Sequence, residues 1–210
     1  MFFPYARDYT DSVYRFSKAS KAFTDSHVTF ITMPDPGLGT NKHLRVGGQS
    51  KILMYNRESD DATLPDLSPQ GIAASAALPA GTFQCFEYHL GTDGTIETWL
   101  NGNSISGLQA GPSANNPNGA QWERGAYKPK VTGIYFGWES YGGDTNTFWY
   151  DDVAIGSSRI GCSGSPSVST STRATSTATS TSQSSGITSV PTSTTTRTTA
   201  TATSTSAAQV

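Results

Sequence analysis

Past Cys162 the chain no longer has the composition of a folding domain. Residues 163–210 hold 30 Ser or Thr in 48 positions, with no aromatic side chain and no acid. Arg173 and Arg197 carry the only charges there. Such a stretch has too little apolar surface to offset the ordering entropy of a packed core. Ser/Thr-rich tracts with scattered proline read as disordered, O-glycosylated linkers or stalks. Whatever folds is confined to residues 1–162, a length suited to one domain.

Within that limit the pattern is β. His27–Met33 is rich in β-branched and aromatic residues and reads as a strand. Pro34 to Asn41 is a turn-rich loop. His43–Gly48 and Lys51–Asn56 read as strands of a hairpin turning at Gln49-Ser50. Thr82–Leu90 and Thr95–Leu100 form a second hairpin around Gly91-Thr-Asp-Gly94. Val131–Tyr141 and Thr147–Ile155 are two more strands, split by Gly142-Gly143-Asp144. Ser12–Phe16 reads as a strand and Ser17–Phe23 as a short helix. Residues 57–80 and 103–127 have no clear period and read as loops. Long loops in a compact domain are usually functional or disordered, and the first begins beside a polar strand. Many short strands and no helix of ordinary length give an all-β sandwich.

Charge and cysteines narrow the class. Residues 1–162 carry 12 Lys or Arg against 16 Asp or Glu. No basic patch for nucleic acid stands out, and no run approaches the ~20 apolar residues of a membrane span. The stalk-like tail points to secretion, which permits a Cys85–Cys162 disulfide. The opening Met1-Phe-Phe-Pro-Tyr-Ala-Arg-Asp8 has no apolar run of signal-peptide length. The N-terminus is therefore read as incomplete, or the export as unconventional.

The chemistry gathers on Asn41-Lys-His-Leu-Arg-Val-Gly-Gly-Gln49. As a strand it puts His43, Arg45, Gly47 and Gln49 on one face, and Leu44 and Val46 on the other. One face thus carries an imidazole, a guanidinium and an amide, with a glycine gap between them. The bland alternative is the ordinary solvated face of an antiparallel sheet.

No phosphate loop, nucleophile elbow or Cys/His metal spacing is present. Retaining glycosidases need two carboxylates about 5–5.5 Å apart. Glu87 and Glu97 lie on strands, but neither has a second acid two residues on. Glu58, Asp60 and Asp61 crowd the start of a loop. β-Elimination in a uronic-acid polymer fits the polar face better. Arg45 and Gln49 would neutralise and hydrogen-bond the sugar carboxylate as enolate-like charge develops at the acidic carbon. His43 and Tyr141 are the candidates for proton transfer. Asp61 would orient His43 or Arg45. The rival roles are a loop aromatic for Tyr141 and a turn-capping acid for Asp61. Trp99, Trp138 and Trp149 could stack on sugars or fill the core, and Trp149 reads better as core. Asp151 in Asp151-Asp152 is a possible calcium ligand or an edge-strand acid.

Residues 27–162 closely resemble the secreted, cellulose-induced fungal proteins regarded as glucuronan lyases. The shared strings are long: Lys42-His-Leu-Arg-Val-Gly-Gly-Gln-Ser50, Tyr55-Asn-Arg-Glu-Ser-Asp-Asp-Ala-Thr-Leu-Pro-Asp-Leu-Ser-Pro69, the run from Phe83 to Gly102, and Trp149-Tyr-Asp-Asp152. The resemblance implies a concanavalin-like β-jelly roll with Arg45, Gln49 and Asp61 in a concave groove. It implies a structural Ca²⁺ with Asp151 as one ligand. It also implies an N-terminal segment longer than Met1–Phe23, so that N-terminal strands are missing here. The expected activity is that of a secreted polysaccharide lyase acting as a monomer on an acidic polysaccharide, with no nucleic-acid or membrane partner. The alternative is a non-catalytic carbohydrate-binding module for cell-wall polysaccharide.

Overall fold

A computed structural model describes residues 3–4 and 10–162. The Ser/Thr-rich tract 163–210, read above as a disordered linker, lies outside the described residues. The strands are β1 (Phe3–Pro4), β2 (Thr10–Ala19), β3 (Val28–Pro34), β4 (His43–Gln49), β5 (Ile52–Arg57), β6 (Thr63–Leu64), β7 (Gln84–Gly91), β8 (Ile96–Leu100), β9 (Asn103–Ser104), β10 (Gly133–Ser140) and β11 (Phe148–Gly156). Two short helices interrupt them, α1 (Pro69–Ala74) and α2 (Ala120–Glu123). The strands form two antiparallel sheets, ordered β1-β10-β3-β4-β5-β6 and β11-β2-β7-β8-β9. The chain is an all-β sandwich of jelly-roll type.

The core sits between the sheets. Leu44 and Val46 of β4, Phe30 and Ile31 of β3, Leu53 and Tyr55 of β5, and Phe86, Tyr88 and Leu90 of β7 are almost fully buried there. Phe30 meets Phe86 edge-on across the interface, with ring centroids 5.8 Å apart. Because successive strand residues point to opposite faces, burying Leu44 and Val46 turns His43, Arg45 and Gln49 outward.

Both expected hairpins form, with differences at their turns. Gln49 pairs with Ile52, so the first turn is Ser50-Lys51, one residue later than expected. Both turn residues have positive φ, 52° and 68°, as a two-residue turn matching the strand twist requires. Gly47 leaves no gap: a Cβ there would lie 1.8 Å from the Val28 backbone oxygen. The glycine lets β3 approach closely, and β3 bulges there between Thr29 and Ile31. Beyond β8, Asn101-Gly102 turns the chain into β9 with both φ positive.

One element differs in type. The helix expected over Ser17–Phe23 does not form; β2 continues to Ala19. It is flanked by β7 and β11, and both ladders run through Ser17. Pairing with β11, which runs on to Ala19, overrides the local preference of Lys18 and Ala19. The two long loops hold α1, β6, β9 and α2, elements too short to leave a periodic signal.

Candidate functional site

On the outward face of the six-stranded sheet, antiparallel register places polar residues in a row across the strands. Tyr135 of β10 opposes Thr32 of β3, Thr32 opposes Arg45, Arg45 opposes Asn56 of β5, and Asn56 opposes Thr63 of β6. One step along, Glu139 of β10 opposes Thr29, and Thr29 opposes Gly47. His27, just before β3, accepts the backbone N–H of Tyr141 on its carbonyl at 3.0 Å. Tyr141, just after β10, lays its ring against the His27 ring, with centroids 4.8 Å apart. The Arg45 guanidinium lies 5.5 Å from the Tyr141 ring centroid. The sheet thus gathers His27, Arg45 and Tyr141, which are distant in sequence.

Glu58 ties the other end together. Its carboxylate accepts from His43 Nδ1 at 2.6 Å and from Arg45 at 2.8 Å. An ionised carboxylate can only accept, so His43 carries its proton on Nδ1 in this bond. Burial pushes the Glu58 carboxyl up, but the His43 hydrogen bond and the Arg45, His43 and Lys42 charges outweigh it, leaving it below the usual range. The turn bearing Glu58 is anchored by Arg57. That buried guanidinium pairs with Asp60 and donates to the Trp122 carbonyl at 2.9 Å. It also lies 4.9 Å from the Trp122 ring and 5.3 Å from the Tyr127 ring. The Glu58 N–H then donates to the His43 carbonyl, closing the loop onto β4.

Several polar atoms on this face are buried with no protein partner: His27 Nε2, Thr29 Oγ1, Arg45 Nε and Asn56 Oδ1. Asn56 is only 3% exposed. Buried polar groups are almost always satisfied, so a cluster of unsatisfied donors and acceptors on one face calls for a ligand or ordered water.

Two pKa shifts sort the proton carriers. Burial and the Arg45 charge hold His27 below its ordinary value, against smaller opposing effects from Asp61 and Glu139. His27 is therefore a neutral base near pH 7. Burial, with help from Glu139 and Glu58 and against Arg45, pushes the Tyr141 hydroxyl up to about 12. Tyr141 thus remains protonated and is suited to donate.

The sequence-predicted residues fare unequally. His43, Arg45 and Tyr141 lie in the cluster, and Gln49 is half-buried at the far end of β4 on the same face. Asp61 is exposed with φ 55°, and makes no hydrogen bond to His43 or Arg45 among those described. The carboxylate that bonds both His43 and Arg45 is that of Glu58. His27 was not singled out, although the alternation His27, Thr29 against Val28, Phe30 carries the signal. Trp149 is not core: it is 38% exposed on the other sheet, against Lys18. Trp138 packs on the core against Phe23 and Phe148, and Trp99 lies under Arg159 on the second sheet. None of the three lines the polar face. Glu87 is buried in the second sheet and bonded to Arg159 and the Gly161 N–H, a structural role.

Cys85 and Cys162 form the expected disulfide. Among the described residues, the only three ligand-type side chains close enough to share an ion are Cys85, Glu87 and Cys162. Both sulfurs there are committed to the disulfide. Asp151, exposed beside a bulge in β11, belongs to no such group among the described residues.

No curated protein matches the sequence. The Cip1-like core domain of the polysaccharide lyase-like family matches residues 7–158. The solved structure of the cellulose-induced protein Cip1 is 60% identical, covering 72% of this chain and 69% of that one, with a TM-score of 0.71. Looser likenesses include a botulinum neurotoxin binding domain in complex with rat synaptotagmin II. That structure is 13% identical over 71% of this chain and 32% of the other, at a TM-score of 0.46. Sheep galectin-11 is 9% identical over 74% and 94%, at 0.38. Neither of these bears on the ligand. With the family model matching most of the chain and a relative 60% identical, the protein belongs to the Cip1-like branch of the polysaccharide lyase-like family.

Proposed function

We propose that the protein is a secreted polysaccharide lyase that cleaves a glucuronan-type uronic-acid polymer by β-elimination. One observation carries the reading. A fixed guanidinium, Arg45, stands beside a neutral histidine and a protonated tyrosine, on a face with unsatisfied buried polar atoms.

The chemistry needs three things. The proton at C5 is weakly acidic while the neighbouring carboxylate is charged. Arg45 offers an unpartnered Nε–H to that carboxylate, and Gln49 offers an amide, so the charge that develops is neutralised where it appears. His27 takes the C5 proton on its unpartnered Nε2. The C5–H electron pair forms the C4–C5 double bond, and the bond to O4 breaks. Tyr141 gives its proton to the leaving O4. Glu58 holds Arg45 and His43 in place. The base is assigned to His27 rather than His43 because its ring stacks on that of Tyr141, so acid and base serve one linkage.

The disulfide, stable in oxidising compartments, supports secretion. No helix among the described residues is long and apolar enough to cross a membrane. A catalytically silent carbohydrate-binding role is the second reading, favoured by the same unsatisfied atoms. Replacing Arg45 separates them. In a lyase Arg45→Ala abolishes formation of the unsaturated product, whereas in a binding module there is no product to abolish.

A further inference from the structure

β10 carries a second feature on the reacting face, outside the catalytic cluster. Tyr135, Gly137 and Glu139 alternate outward along it, while Phe136 and Trp138 pack toward the core. Tyr135 is 45% exposed. It stands in the same cross-strand row as Arg45, with Thr32 between them. Two strand spacings of about 4.8 Å put its backbone roughly 10 Å from that of Arg45.

Next to it, Gly137 is an anomaly. A glycine in a strand weakens it, and usually marks a bulge or the close approach of another group. The register does shift between Phe136 and Glu139. Yet Gly137 needs no positive φ, and a Cβ there would meet nothing within 4 Å. Gly47 on β4 is the opposite case, since strand β3 fills its space. Among the described residues, none occupies the space over Gly137. An exposed aromatic ring beside open backbone is a flat, amphipathic shelf, the kind of surface on which the C–H face of a sugar ring packs while its hydroxyls reach polar neighbours.

We propose that Tyr135 and the open backbone at Gly137 form an outlying sugar subsite, taking a further uronic-acid unit of the chain whose reacting linkage lies at Arg45. The polymer then runs across the strands, along the row Tyr135–Thr32–Arg45–Asn56. This rests on the uronan reading above and extends it, because it makes the protein a reader of chains rather than of the smallest fragments. The continuity of the shelf with the Arg45 row selects the occupant.

The test measures two quantities on the full chain with β-1,4-glucuronan. One is KM against kcat; the other is polymer affinity by electrophoretic retardation in gels holding the polymer, in an Arg45→Ala background. Tyr135→Ala should raise the polymer KM roughly tenfold, with kcat changing far less. It should reduce retardation in parallel and leave the melting temperature in place. Tyr135→Trp should restore binding, and Gly137→Val, which fills the shelf, should mimic the loss. An oligomer too short to span the row should show no difference between Tyr135→Ala and the parent. Polymer KM and retardation within twofold of the parent for Tyr135→Ala and Gly137→Val would overturn the subsite. If the parent protein gives no unsaturated product, the lyase reading falls, and retardation alone still decides the subsite.

Discussion

At the scale of single residues, the account stands on a division of labour that charge enforces. Arg45 is the cation placed to stabilise a developing carboxylate-linked anion, with the Gln49 amide assisting. Arg45→Ala should lower kcat at least 10²- to 10³-fold, the usual effect of removing one such donor, with the melting temperature little changed. Tyr141→Phe keeps the ring contact with His27 but loses the proton, and should lower kcat by about 10²- to 10⁴-fold. The pH profile follows from the two shifts. His27 must be neutral to accept a proton, and its folded pKa lies below the ordinary 6.5. Activity should therefore persist below pH 6.5 and fall only as pH drops through the lowered value. Tyr141, pushed up to about 12, should impose no alkaline limb near neutrality. An acid limb in kcat/KM above pH 6.5 would remove His27 as the base. Glu58 is a positioning residue: Glu58→Gln should loosen both His43 and Arg45, raising KM and lowering kcat together.

At the scale of elements, the hairpin β4–β5 presents the site, and two of its features make opposite predictions. Ser50 and Lys51 occupy the left-handed region without being glycine. Lys51→Gly should remove part of that cost and stabilise the protein by about 0.5–1 kcal/mol, read from urea unfolding. Gly47→Ala should do the reverse, costing about 3 kcal/mol or more, because the clash is with the Val28 backbone and no side chain can yield. The alternation of His43, Leu44, Arg45 and Val46 made this element and its two faces legible from sequence alone. The same period would have shown His27 beside Thr29. Glu58 was not legible in the same way. Glu58, Asp60 and Asp61 are chemically alike, and which one reaches β4 depends on how Arg57 anchors the turn under Trp122 and Tyr127. The strand over Ser17–Ala19 was hidden for a related reason, since only pairing within the sheet makes it extended.

At the scale of the whole molecule, two sheets share one core, and the chain after β11 is drawn back across the second sheet. The Cys85–Cys162 disulfide closes a separation of 77 residues. Arg159 and the Gly161 N–H add bonds to the buried Glu87 beside it. In the chain-entropy view, removing such a cross-link costs up to about 4 kcal/mol. Cys85→Ser with Cys162→Ser should thus lower the melting temperature markedly, and reductant should do the same to the parent. The polar face is on the other sheet, so any surviving folded fraction should keep its kcat. The central claim is that this face performs elimination rather than simple binding. Ultraviolet absorbance during incubation with β-1,4-glucuronan tests it most directly, because the C4–C5 double bond absorbs and the substrate does not. The account predicts a steady rise with the parent protein and none with Arg45→Ala. A flat trace from folded parent protein that still binds the polymer would contradict it and leave a binding module.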